Sequence, residues 1–394
     1  MIFNFGNSLL CLILLYLLWH ILKDNQIVEN FKWIKKDSCR YKSNNTLLNV
    51  MKQHNIKKGD LTDWDLYLPC TYNNMDLEMR SIPPAKLGKK LFLINNCNFL
   101  TSKSMVWKLI LDKYGIKDAK KIMPETYILK NFSNNNTTDL QRFTNGYKDG
   151  NIYIMKKNIQ RQKGLKITDK YDDIMLGRKN RYIIAQDLLQ DPYLINMRKI
   201  NLRIYMLIVC KDNDIQGYVH KNGFMYYTKE KFQKNSTRME PNITTGYIDR
   251  QIYIDNPLTL EDFRSYLDNI NRKLNMNETK ILYNDKSKRK LSNILFSDIY
   301  ALLNKVLNAA NKHICGTTNV PSHIHEQTSF QLFGVDISVN ENLQPQMMEI
   351  NKGPDMSAKD KRDKQVKTNV MIDIMTVLDM TDKNKNDHQF IKLN

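Results

Sequence analysis

The segment Phe333–Pro354, FGVDISVNENLQPQMMEINKGP, limits the possible folds more than any other stretch of the chain. Gln331–Val339 and Gln346–Asn351 are mostly apolar, and the stretch between them carries Asn342 and Pro345, so the pattern predicts two strands around a loop. Side chains alternate along a strand, which puts Glu349 and Asn351 on one face, with Asp336 on the partner strand. Two carboxylates and an amide oxygen are hard donors that suit magnesium, an ion that keeps several waters and binds through one or two carboxylates together with phosphates. Taken alone, the same pattern also suits the solvated polar face of an edge strand.

Two further segments carry unusual charge. In Tyr182–Ile208, strands are expected at Tyr182–Gln186 and Ile204–Cys210, with Arg198, Lys199 and Arg203 beside them. These cations either blunt a strand edge or neutralise phosphates, a planar guanidinium being able to grip two oxygens. In Tyr153–Ile167, YIMKKNIQRQKGLKI, Lys156 ends a strand before a basic loop that contains Gly164. The chain has no GxxxxGK[ST], GxGxxG or GxSxG.

Composition bounds the rest. Sixty lysines and arginines against 41 acidic residues give a net charge of +19, which favours polyanions without choosing among them and which compositional drift explains equally well. No zinc-finger, RNP or basic-helix pattern organises that charge, so nucleic acid is an unlikely partner. With 42% hydrophobic residues in 394, a folded body of two or three domains is expected. Helices are expected at Lys103–Tyr114, Leu260–Leu274, Leu291–Ile314 and Val366–Leu378, a hairpin at Gly217–Tyr227 around Asn222-Gly223, and a loop at Asn131–Thr138. The class is α+β with mixed sheets. Six cysteines, Cys11, Cys39, Cys70, Cys97, Cys210 and Cys315, lie far apart without a CxxC, the pattern of reduced thiols. His313, Cys315, His323 and His325 read as polar packing rather than a zinc site. Ser8–Leu22, SLLCLILLYLLWHIL, approaches the length of a membrane span and is followed by Lys23, Lys32, Lys35 and Lys36. It predicts a single-pass anchor with the body facing the cytosol, the alternative being a helix packed on a soluble body.

In order along the chain come Ile154-Met155-Lys156, Gln186-Asp187-Leu188-Leu189, Asp191-Pro192-Tyr193-Leu194-Ile195, Lys199-Ile200-Asn201-Leu202-Arg203-Ile204-Tyr205, Gly334-Val335-Asp336 and Glu349-Ile350-Asn351-Lys352-Gly353-Pro354. Together they resemble the tubulin tyrosine ligase-like family of the ATP-grasp superfamily, whose members read K-P before a glycine loop, Q-K-Y at a hinge, K-F-D-x-R-V-Y, G-F-D and E-V-N-x-x-P. The likeness runs from about Leu91 to Leu378. It implies an ATP-grasp fold of mixed and antiparallel sheets with flanking helices, preceded by the amino-terminal hydrophobic helix. The implied division is an anchor at 1–26, an amino-terminal subdomain at 27–101, a central subdomain at 102–188, a carboxy-terminal subdomain with the magnesium site at 189–382 and a polar tail at 383–394.

Carried over by position, the resemblance implies Lys103, Lys156 and Lys199 on the ATP phosphates, Gln186 and Leu188 at the adenine hinge, and Asn201 and Thr244 also on the nucleotide. Arg203 would steady the transferring phosphoryl group, Lys221 would face the substrate, and Asp336, Glu349 and Asn351 would hold magnesium. Asn201 stands where the family usually has aspartate, Gln162 where it often has a loop glycine and Thr245 where it has asparagine. The implied activity joins a free amino acid to tubulin or another acidic protein tail, using ATP and magnesium. The alternative is a membrane-tethered binding protein on the same scaffold, without catalysis, that docks acidic partners.

Overall fold

The computed structural model describes residues 31–39, 43–72, 75–84, 86–130, 138–158, 164–212, 214–316 and 320–394. The expected anchor at Ser8–Leu22 lies outside them, as do Cys11 and Gln162. Among the described residues no helix is long and apolar enough to cross a membrane.

Fifteen strands are present among these residues: β1 Lys32–Ile34, β2 Lys57–Lys58, β3 Leu66–Tyr67, β4 Lys90–Leu91, β5 Thr126–Ile128, β6 Tyr153–Lys156, β7 Leu165–Thr168, β8 Ile184–Asp187, β9 Leu194–Ile195, β10 Arg198–Lys211, β11 Asp214–Thr228, β12 Thr244–Thr245, β13 Thr328–Val339, β14 Pro345–Lys352 and β15 Phe390–Lys392. The longer helices are α1 Asn45–Gln53, α2 Lys103–Ile122, α3 Thr138–Gly146, α4 Leu260–Leu267, α5 Met276–Asn284, α6 Leu291–Ala310 and α7 Lys361–Val377. The fold is mixed α+β. One sheet runs β12-β11-β10-β13-β4-β3-β1-β2, with β14 on β13, β15 on β11 and β9 on β10; a second, four-stranded sheet runs β5-β8-β6-β7.

β10 organises the larger sheet. Ile200, Leu202, Ile204, Met206 and Ile208 are buried, and antiparallel partners flank the strand, β11 on one side and β13 on the other. A strand covered on both faces reads as a nearly continuous apolar run, which is why its charged members, Lys199 and Arg203, stand out. In α6, Leu291, Leu295, Ile299, Leu302, Val306 and Ala310 are buried at three- and four-residue spacing, and the helix packs on α2, α4 and β14. α7 packs on β11 and α1.

Several local expectations change. Gly217–Tyr227 is not a hairpin but lies within the long strand β11, and the chain reverses between Lys211 and Asp214, where Asp212 has φ 51°. Asn222-Gly223 sits at a register shift, and Gly223 is required by closeness, since a Cβ there would lie 2.2 Å from the Arg203 carbonyl oxygen. The helix expected over Leu260–Leu274 ends at Leu267, capped by Asp268, and α2 continues past Tyr114 through a break at Gly115, φ 71°. The cysteines are not all reduced. Cys39–Cys70 and Cys210–Cys315 form disulfides with Cα separations of 5.1 and 5.9 Å, while Cys97 is a buried thiol. Their partners are 31 and 105 residues apart, so only the folded topology brings them together. With Cys315 so engaged, His323 and His325 bond instead to the carbonyl oxygens of Ile82 and Val320.

Candidate active site

Asp336 on β13 is paired with Arg203 on β10 and with Glu349 on β14, so three strands bring one cation and two carboxylates side by side. A bulge at Met348 makes this possible: Ile337 pairs with Met347 but Asp336 with Glu349, leaving one residue of β14 unmatched. The Arg203 fork closes on Asp336, Nε donating to Oδ1 at 2.6 Å and Nη2 to Oδ2 at 3.0 Å. Its guanidinium lies 5.1 Å over the Tyr226 ring. Gly334 gives it room, because a Cβ there would meet Arg203 Cδ at 3.2 Å. The Asn351 amide donates to Asp336 Oδ2 at 3.3 Å and to Glu349 Oε1 at 3.2 Å, and Lys103, the first residue of α2, reaches Glu349 Oε2 at 3.6 Å.

This closeness splits the two carboxylates electrically. Burial raises Asp336, Arg203 opposes that, and the neighbouring Glu349 charge adds to it, leaving the group above its ordinary value. Burial also pushes Glu349 up, but Lys103, Lys156 and the Asn351 amide more than offset it and hold the group below the usual range.

Lys156 and Lys199 have a different character. Both are buried, at 5% and 3% exposure, and among the described residues neither touches a carboxylate. Lys156 Nζ, at the end of β6, donates to Gln186 Oε1 at 2.8 Å; Gln186 in turn donates to Thr126 Oγ1 at 2.8 Å, so its amide is fixed. Lys199 Nζ donates to the Leu189 carbonyl oxygen at 3.4 Å, its one hydrogen bond among the described residues. Burial drives Lys156 down to about 8, with Glu349 opposing and Lys103 assisting. Lys199 is likewise pushed down to about 8 by burial and then by Lys156. Two buried ammonium groups that repel one another, with no carboxylate partner among the described residues, have the charge to suit an anion.

The remaining positions divide. Leu188 is buried, and its N–H donates to the Ile152 carbonyl oxygen at 2.9 Å, where the chain leaves the four-stranded sheet. Asn201 shares the Arg203 face, and its Oδ1 is buried with no hydrogen-bond partner among the described residues. Thr244, in β12, pairs with Thr228, and the Thr245 hydroxyl accepts from the Tyr247 N–H at 3.0 Å. Lys221 does not join the cluster. It lies in the β11 register shift with its side chain exposed and its N–H tied to the Gln389 carbonyl oxygen. Tyr226 is the β11 residue that meets Arg203, and no charge or spacing marks it in the sequence, where Asn222-Gly223 reads as the turn of a hairpin.

Asp336, Glu349 and Asn351 fit a hard divalent cation as an incomplete set. Among the described residues no three His, Cys, Asp or Glu side chains gather to hold a metal, so waters and phosphate oxygens would have to complete the shell, as magnesium favours. The cations around the carboxylates and the unpaired lysines beyond them match a metal–polyphosphate pair in charge.

A model of the tubulin-tyrosine ligase family matches residues 85–387. Similar curated proteins include the probable tubulin polyglutamylase TTLL9 of Rattus norvegicus, 26% identical over 212 residues, covering 54% of this chain and 41% of that protein. Tubulin polyglutamylase TTLL6 of Homo sapiens is 23% identical over 370 residues, 88% of this chain and 37% of that protein. A probable beta-tubulin polyglutamylase of Tetrahymena thermophila is 24% identical over 286 residues, 68% of this chain and 22% of that protein. The matches thus span well under half the length of these relatives.

Proposed function

Because this chain belongs to the tubulin-tyrosine ligase family, we propose that it is an ATP- and magnesium-dependent ligase that joins a free amino acid to an acidic protein tail, tubulin being the acceptor named in its relatives. The observation that carries this reading is the pair of buried lysines, Lys156 and Lys199, which have no carboxylate partner among the described residues, near the Asp336–Glu349–Asn351 cluster. On an ATP-grasp scaffold the nucleotide would lie between 102–188, which supplies Lys103, Lys156 and Gln186, and 189–382, which supplies Lys199 and Arg203.

A carboxylate is a poor electrophile. In the proposed reaction its oxygen takes the γ-phosphoryl group of ATP, ADP leaves, and the amine then attacks the acyl phosphate and expels phosphate to form the amide with loss of a proton. Magnesium bound at Asp336, Glu349 and Asn351 would offset charge on the phosphate oxygens. Lys156 and Lys199 hold the polyphosphate, Gln186 fixes Lys156, and Arg203 lies where charge gathers on the transferring group. No side-chain nucleophile is required.

The test is to incubate the protein with ATP, magnesium, tubulin and each labelled amino acid in turn, and to read label in protein by mass spectrometry. Amide-linked label supports the reading. Absence of both label and ATP turnover favours a binding protein on this scaffold instead.

The lysines also give the site a pH signature. Below about pH 8 both are charged, whereas above it each must take up a proton to meet an anion, so ATP affinity should fall between pH 7 and 9, by up to about tenfold per unit per lysine. Folding stability of the free protein responds with the opposite sign. Between about 8 and 10.5 the unfolded lysines bind more protons than the folded ones, so this contribution rises with pH. Calorimetric ATP titrations and urea melts across that range check both; a flat affinity profile would remove the lysines from the phosphate site.

A further inference from the structure

Helix α5 turns a carboxylate inward and apolar side chains outward, the reverse of ordinary partition. At 3.6 residues per turn Met276, Thr279, Lys280 and Tyr283 share one face, and all four are exposed; Glu278 lies on the opposite face and is fully buried. The buried carboxylate accepts from Arg272 at 2.8 and 3.0 Å, from the Tyr193 hydroxyl at 2.6 Å and from the Asn275 N–H at 2.8 Å. Those bonds fix the helix on the body, with Ile281 and Leu282 half-buried against the core, so the outward face is held in place. Met276 is 85% exposed, Tyr283 89%, and Ile270, in the loop between α4 and α5, 95%. No other large apolar side chain among the described residues exceeds 73%. A lone exposed apolar residue is ordinary, but here the three extremes fall in one short segment. The charge around them has one sign. Lys273, Lys280, Lys286, Lys288 and Lys290 are exposed, whereas both acidic residues of 269–290 are occupied, Glu278 by Arg272 and Asp285 by the N–H and guanidinium of Arg289, at 2.6 and 3.0 Å.

We propose that 269–290 is a docking surface for an anionic lipid bilayer, with Ile270, Met276 and Tyr283 entering the headgroup layer and the lysines resting on the lipid phosphates. The inference is independent of the ligase reading. Apolar side chains set among lysines, without an exposed carboxylate, match what the surface of an anionic bilayer offers: negative charge outside and hydrocarbon a few ångströms below. Tyrosine suits that depth, since its ring is apolar and its hydroxyl stays wet. A second copy of the chain would bring the same lysines face to face and be repelled. A protein partner would need a separate pocket for each side chain, because side chains this exposed stand proud of the surface rather than line a groove. A fluid layer needs no such match. The pinning of α5 through Glu278 keeps the cost of ordering the face out of the binding step.

The test is co-sedimentation of the full chain with vesicles of phosphatidylcholine and phosphatidylserine, against vesicles of phosphatidylcholine alone. Ile270→Ser, Met276→Ser and Tyr283→Ser should each weaken binding to the anionic vesicles roughly tenfold, the scale of burying part of one apolar side chain. Lys280→Gln and Lys286→Gln should each cost about fivefold at low ionic strength, and raised salt should remove that difference. All five side chains are exposed, so melting temperatures should stay close to that of the unsubstituted chain. The apolar stretch Ser8–Leu22 carries no charge that would favour phosphatidylserine, so the assigned contribution is the part of binding that needs the anionic lipid. Insertion is read separately with Tyr283→Trp, whose fluorescence should be quenched by brominated lipid beyond any quenching of the four native tryptophans. Equal binding to both vesicle types, unchanged binding in the triple serine variant, or no added quenching overturns the proposal. So does a triple variant that keeps vesicle binding and instead loses binding to assembled tubulin, which would make the surface a protein interface.

Discussion

A protein carrying Glu349→Gln together with Asn351→Asp should melt within a few degrees of the unsubstituted chain and lose ATP turnover by about a thousandfold or more, the scale of removing a preorganised charge from a reacting centre. The pair keeps one negative charge on β14 but moves it two residues, about 7 Å, along the strand. In the folded chain Glu349 Oε2 faces Lys103, and Oε1 accepts from Asn351. A glutamine at 349 gives up the charge that balances Lys103, while an aspartate at 351 sets a second carboxylate against Asp336. Neither site lies in the apolar core, and both residues are half-buried, so the fold has little reason to fail. Turnover is read from ADP release, and manganese affinity from electron paramagnetic resonance. Normal turnover with normal manganese binding would remove these residues from the metal site.

Glu278→Ala should cost about 3–5 kcal/mol of stability, the range for removing one partner of a buried ion pair. Glu278 is fully buried on α5 and accepts Arg272 through two nitrogens, at 2.8 and 3.0 Å, the Tyr193 hydroxyl at 2.6 Å and the Asn275 N–H at 2.8 Å. Truncation leaves the Arg272 charge and the Tyr193 hydroxyl without their acceptor, and it opens the capping box of α5. Burial raises the carboxyl, but Arg272 and Tyr193 outweigh it and hold the group below its usual value. Its stabilising contribution is therefore present above the unfolded value and lost as the pH falls through the folded one. Urea midpoints for Glu278→Ala and Glu278→Gln, at neutral and acid pH, check this; a shift under about 1 kcal/mol for the alanine variant would show the triad to be idle. Tyr193 links this triad to the site, because it precedes β9, which pairs with the start of β10 at Arg198 and Lys199.

The strands that carry the candidate site are legible because polar and charged residues interrupt apolar runs: Lys199 and Arg203 in β10, Asp336 in β13, and Glu349 and Asn351 in β14. Which face each one occupies is less so. Period-two alternation holds from Asn351 to Glu349 and then fails at Met348, and the buried residues Met347 and Ile350, three apart, record the bulge. Asn222-Gly223 carries the strongest short hairpin signal a sequence can offer, yet Gly223 is there for the close approach of the Arg203 carbonyl oxygen. That false turn points to Lys221 and away from Tyr226. Tyr226 carries no charge and belongs to no spacing pattern, and only the pairing of β11 with β10 places it beside Arg203. The disulfides escape the sequence for a similar reason, because their partners lie 31 and 105 residues apart and no local spacing pairs them.

Lys156 and Lys199 belong to different sheets, each with its own hydrogen-bonded ladder. If, as proposed, a polyanion binds between them, it would be mortar as well as ligand, since it would cancel the repulsion between the two ammonium groups. Inert tripolyphosphate, which has the charge and span but no reaction to undergo, should raise the melting temperature with a dose-response set by its dissociation constant. Heat resistance then becomes a gauge of occupancy that does not depend on knowing the amino acid, the acceptor or the product.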